Sequence, residues 1–183
     1  IWCDGKTVTY KEMADLVSRY SNLLLSQGAA YGDHIAIPMN NSIESVALFF
    51  SAADLGICVV PLNSSLPFEA IKAAMAAGDV RHVIARKAFF ADCEKNGGLN
   101  IPGFAVCLDQ EYPGTIPFSK IEEMSTERPT IDRDVDGSES LILTMTSGST
   151  GIPKPIDISQ DNKYDRSMAH IRVYKITKED RII

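Results

Sequence analysis

Only four cysteines are present, Cys3, Cys58, Cys93 and Cys107, and they show no CxxC or zinc spacing. Cys58 and Cys107 fall inside apolar strand patterns, which predicts buried reduced thiols and a cytoplasmic location. No apolar run approaches the length of a bilayer span, and no signal-peptide pattern opens the chain. Basic runs are absent too. With a formal net charge of −6, nucleic acid and acidic membrane surfaces are disfavoured as partners. There is no G-x-S-x-G elbow, so a serine hydrolase is unsupported, and no G-x-G-x-x-G follows a strand pattern, so a dinucleotide-binding unit is unsupported as well. His34, His82 and His170 have no partners at metal-ligand spacing and read as structural. Asp132, Asp134 and Asp136 lack the distal glutamate of an EF-hand loop and read as a solvated linker.

What is present is a full core and an alternating pattern. At 183 residues and 45% hydrophobic, the chain can bury one core as a single α/β lobe over residues 1–183. The first helix is predicted from about Tyr10 to Gln27. Thr9 and Glu12 form its capping box, Met13, Leu16, Val17, Tyr20, Leu23 and Leu24 one face, and Gly28 its end. Asn41 with Glu44 is expected to open a second helix, closed by Gly56, and Pro67 to occupy the first turn of a third that stops at Gly78. A weaker helix follows over 87–95, and a last one over about 162–174 with Tyr164, Met168 and Ile171 inward. Between them, strands are predicted over 34–39, 57–62, 81–85 and 104–108. Strands separated by helices of this length imply right-handed crossovers and a mainly parallel sheet, a flavodoxin-like three-layer lobe. Residues 109–137 hold three prolines and an acidic, apolar-poor run; they read as an irregular connector with one helical turn near 119–124.

The stretch that carries chemistry is Leu141–Ser159, LILTMTSGSTGIPKPIDIS. Strand patterns flank a loop, 144–155, that is too polar for core. Gly148 and Gly151 let main-chain N–H groups approach an anion closely. Thr146, Ser147, Ser149 and Thr150 add hydroxyl donors, and Lys154 adds a compact positive charge. A polyphosphate suits this set; the competing reading is an ordinary Gly/Ser-rich turn. A Walker A loop is excluded, because Pro153 and Pro155 occupy the positions of its second glycine and its Mg²⁺-binding hydroxyl.

Thr146-Ser-Gly-Ser-Thr-Gly-Ile-Pro-Lys154 resembles the phosphate loop of the adenylate-forming superfamily of acyl- and aryl-CoA synthetases, peptide-synthetase adenylation domains and luciferases. It departs at Met145, usually aromatic, and at Pro155, usually glycine. The resemblance extends to Gly5–Tyr10, Gly32–Ile37, Gly56–Asn63 and Thr177–Ile182, and so spans nearly the whole chain.

The resemblance implies ATP-dependent, AMP-forming activation of a carboxylic acid, with ATP, Mg²⁺ and CoA as cofactors or co-substrates. Thr146, Ser147, Gly148, Ser149, Thr150, Gly151 and Lys154 would bind the β- and γ-phosphates, with Lys154 the catalytic cation. Pro61–Glu69 (PLNSSLPFE) is more like the CoA synthetases, whereas Ser149 is the variant common in peptide synthetases, so a carrier-protein acceptor stays open. A nucleotide-binding module without catalysis and a purely structural α/β domain also stay open. Because the chain starts at Ile1-Trp2 and stops at Ile182-Ile183 within a strand pattern, we expect an internal segment of a longer protein. The remaining domains of that protein are its expected partners, and the segment alone is expected to be inactive.

Overall fold

Short apolar strands separated by amphipathic helices can hide both strand faces only by forming a parallel sheet with helices above and below. The structure, a computed structural model, describes residues 1–3, 5–38, 41–134, 136–147 and 153–180. A small antiparallel hairpin, β1 (Trp2–Cys3) and β2 (Lys6–Thr7), precedes helix α1 (Tyr10–Ser26). The main lobe then runs β3 (His34–Pro38), α2 (Ile43–Leu55), β4 (Cys58–Leu62), α3 (Phe68–Ala77), β5 (His82–Ala85), α4 (Lys87–Lys95) and β6 (Ala105–Cys107). It continues with β7 (Ile116–Pro117), α5 (Ser119–Glu123), β8 (Ser140–Ser147), β9 (Pro153–Ser159) and α6 (Gln160–Tyr174). The last two strands come from one hairpin.

The sheet order is β7-β6-β5-β3-β4-β8-β9, with every pairing parallel except β8 with β9. Counting β3, β4, β5 and β6 as one to four, the order 2-1-3-4 is that of a flavodoxin-like sheet. Side chains alternate across it. Ile35, Ile37, Val59, Ile84 and Val106 face one core with Tyr20, Leu23 and Leu24 of α1 and Leu48 of α2. Ala36, Val60, Val83 and Ala105 face the other, against Ile71 and Met75 of α3 and Phe89 and Phe90 of α4. Three layers result, as the sequence predicts.

Local chemistry sets the helix ends. Thr9 accepts from the Glu12 N–H at 3.1 Å, and the Glu12 carboxylate accepts from the Thr9 N–H at 2.7 Å, closing the capping box. Glu12 is held below the usual carboxylate range by these bonds. For α2 the cap is Ser42, accepting from the Ser45 N–H at 3.1 Å, and not the expected Asn41. Adjacent Asn and Ser compete for one position, and the spacing to the helix favours Ser42. Pro67 likewise caps α3 from just outside it rather than filling its first turn. Gly56 ends α2 at φ +65°, against the Tyr31 ring, where a side chain would be both strained and crowded.

Within 109–137, β7 extends the sheet and α5 is tied to α1. The Arg19 guanidinium donates to the carbonyls of Ile121, Glu122 and Met124, and Asn22 Nδ2 donates to those of Ser125 and Glu127. A second polar knot lies inside. His82 Nδ1 accepts from the Phe104 N–H at 3.2 Å, so its Nε2 carries the proton given to Asp33 at 3.0 Å. Burial works against the Asp33 charge, but the Ala30 N–H, His82 and Arg81 outweigh it and hold the carboxyl below its usual range.

One expectation fails. No residue of α6 is buried, and Tyr164 and Ile171, expected inward, are 64% and 40% exposed. Periodicity reveals an apolar face but not what covers it. Helix α6 follows β9, the last strand in the sheet order, and its Lys163, Tyr164 and Ser167 line an open cavity with Val17, Phe49 and Phe50 instead of closing onto them. No helix of the described residues is long and apolar enough to cross a membrane.

Candidate phosphate-binding site

β8 runs parallel to β4 with Val59 opposite Ile142, so its carboxyl end lies at the edge of the sheet where α/β folds bind ligands. β9 returns antiparallel, pairing Ser147 with Pro153, Thr146 with Lys154 and Met145 with Pro155. The stretch 144–155 therefore has strand flanks. Gly148, Ser149, Thr150 and Gly151 of the expected site lie outside the described residues, and Ser147 is placed by its backbone in β8.

Two of the predicted residues meet at the hairpin's neck. Thr146 and Lys154 are directly opposite, so both stand on one face of the hairpin. The Thr146 hydroxyl donates to the Lys154 carbonyl at 3.1 Å, fixing the two strands just before the chain leaves them. Both side chains are exposed, as anion-binding groups must be. Proline at 153 and 155 is tolerated because β9 is an edge strand, where a missing N–H need cost no ladder bond. This accounts for Pro155 where the resemblance expects glycine.

Met145 turns to the other face and joins the core under α3 and α4. It also lines an open cavity of about 400 Å³ with Leu62, Asn63, Leu66, Ile71 and Thr144. Gly78, read from the sequence only as a helix stop, lies beneath Met145. The sequence carried no signal for that contact; the structure shows that the αL residue after α3 is Asp79 at φ +45°, not the glycine.

Comparisons with known proteins agree with this geometry. All 183 residues match the AMP-binding enzyme family. The chain is 24% identical over 185 residues to the long-chain-fatty-acid–CoA ligase FadD13 of Mycobacterium tuberculosis, covering 96% of this chain and 34% of that protein. It is 26% identical over 178 residues to the indoleacetate–CoA ligase of Aromatoleum aromaticum, covering 97% and 35%. The chain thus spans about a third of the length of these relatives. In fold it is similar to apo MatB from Rhodopseudomonas palustris, with a TM-score of 0.79 at 18% identity over 96% of this chain and 34% of that one. From first residue to last, the chain belongs to the AMP-binding enzyme family.

Proposed function

We propose that the protein carrying this chain activates a carboxylic acid with ATP and passes the acyl group to CoA. A carboxylate oxygen attacks the α-phosphorus, the bond to the bridging oxygen breaks, and pyrophosphate leaves with that electron pair. The CoA thiol then attacks the acyl carbonyl, losing its proton, and AMP departs. In this reading, Thr146, Ser147, Gly148, Ser149, Thr150 and Gly151 bind the β- and γ-phosphates through hydroxyl and main-chain N–H donors. Lys154 neutralises charge that grows on the departing pyrophosphate, which is where fixed positive charge accelerates the step most. The observation that carries the reading is the hairpin itself, a hydroxyl- and glycine-rich connection at the carboxyl edge with Thr146 and Lys154 paired at its neck.

Magnesium accompanies ATP in this reaction class. No three His, Cys, Asp or Glu side chains come together among the described residues to hold a metal. An ion carried by ATP needs only one or two protein oxygens beside the phosphates, and in this reading charge compensation from this lobe falls to Lys154 and the loop. Pro61–Glu69 favours CoA as acceptor. A carrier-protein thiol is the second reading, favoured by Ser149. Free buried Cys58, Cys93 and Cys107 favour a reducing compartment, and we place the protein in the cytoplasm, working with the remaining domains of its own chain.

The test is ATP–pyrophosphate exchange by the full-length protein across a panel of carboxylic acids, followed by CoA. Exchange that requires one acid class, and acyl-CoA on adding CoA, is the expected result. Exchange without any CoA product, with transfer to a carrier thiol, moves the assignment to the second reading. No exchange with any acid removes the activity.

A further inference from the structure

Gly78 caps α3 at φ −88° and ψ 5°, a conformation open to any residue. The positive φ that ends the helix is carried one residue later by Asp79, at +45°. Gly78 is thus not required by its backbone. What it provides is room. A Cβ built there would lie 2.9 Å from the terminal methyl of Met145, 3.2 Å from the Ala74 carbonyl and 3.3 Å from Val60 Cγ1. The only one of these three that can move aside is Met145, a flexible side chain from β8.

The helix side of this contact cannot retreat. The Gly78 carbonyl is held by His34 Nδ1, which must donate to it, and the Gly78 N–H donates to the Ala74 carbonyl at 2.9 Å. His34 opens β3, so the seat is anchored in the centre of the sheet. Met145 immediately precedes Thr146, and its exit from the seat is the 400 Å³ cavity it already lines. We propose that Gly78 and Met145 are positioning residues for the phosphate hairpin. Met145's methyl, docked on the bare Cα of Gly78, fixes the neck of the hairpin against α3 and so sets the loop's grip on ATP phosphates. The inference rests on the reading of Thr146–Lys154 as a phosphate loop.

Gly78→Ala evicts the methionine methyl into the cavity and loosens the hairpin. In the full-length protein it is expected to raise KM for ATP about three- to tenfold, the scale of a sub-ångström misplacement, with KM for the acid unchanged. Met145→Ala is expected to do the same. Adding Gly78→Ala to Met145→Ala raises KM for ATP by much less than Gly78→Ala does alone, because the shortest of its contacts, with Met145, is already gone. Amide hydrogen exchange over 145–155 is measured on the same four proteins and needs no activity. Faster exchange in each single variant, with a less-than-additive rise in the double, supports the seat even if the full-length protein adenylates nothing. A lower melting temperature or kcat with unchanged KM for ATP and unchanged hairpin exchange overturns it, as do additive effects in the double variant.

Discussion

The role proposed for Lys154 is one that a single substitution isolates. It is exposed on an edge strand, so its loss leaves no buried hole. A charge-assisted hydrogen bond is worth about 1.5–3 kcal/mol, so Lys154→Ala is expected to slow pyrophosphate exchange roughly ten- to a hundredfold without lowering the melting temperature. Equal exchange rates in variant and wild type contradict its assignment. Asp33 gives a contrasting case, since its charge is buried and serves stability. Its pKa is lowered in the folded state, so its ionisation contributes stability that is present above the unfolded carboxylate value and is lost as pH falls through the folded one. Asp33→Asn keeps the size but removes the charge that His82 and Arg81 face. It is expected to cost about 1–3 kcal/mol at neutral pH, the cost of leaving buried partners half-satisfied. Chemical denaturation at pH 7 and pH 3 checks this: the gap between variant and wild type narrows in acid. A gap that stays constant shows that the carboxylate charge is not what holds the knot.

At the level of elements, what could be read in advance was whatever is encoded locally. The capping box of α1 needs only Thr9 and Glu12 at the right spacing, and Thr9→Ala is expected to cost about 1 kcal/mol in denaturant unfolding. Equal stability of that variant shows the box to be dispensable. Buried α1 residues Tyr20, Leu23 and Leu24 likewise follow from their spacing. Where two chemically similar candidates were adjacent, as with Asn41 and Ser42, local reasoning could not rank them. The packing of α6 was out of reach for a different reason. A helix is buried by its neighbours, and position at the end of the strand order is a property of topology. The Gly78–Met145 contact joins residues 67 positions apart, so no window along the chain contains it. Its only local trace is a glycine at an ordinary φ beside a non-glycine at a positive one.

For the whole molecule, strand order decides function. Doubly wound order leaves the carboxyl edge of the sheet open, and the β8–β9 hairpin brings Thr146 and Lys154 to that edge. Leu48 belongs to the core on the sheet face away from Met145 and is expected to report only on folding: Leu48→Ala, at 1% exposure, is expected to destabilise by about 2–5 kcal/mol. At a temperature where that variant is folded, its KM for ATP should match wild type, and a raised KM would mean that core and loop are energetically coupled. The central claim, that this hairpin binds the phosphates of an ATP being cleaved between its α- and β-phosphorus, is tested most directly by ATP–pyrophosphate exchange in the full-length protein. The measurement compares wild type and Lys154→Ala across a carboxylic acid panel. The account predicts exchange that needs the acid and falls roughly ten- to a hundredfold in the variant. Acid-independent ATP cleavage to ADP and phosphate, or exchange indifferent to Lys154, would contradict it.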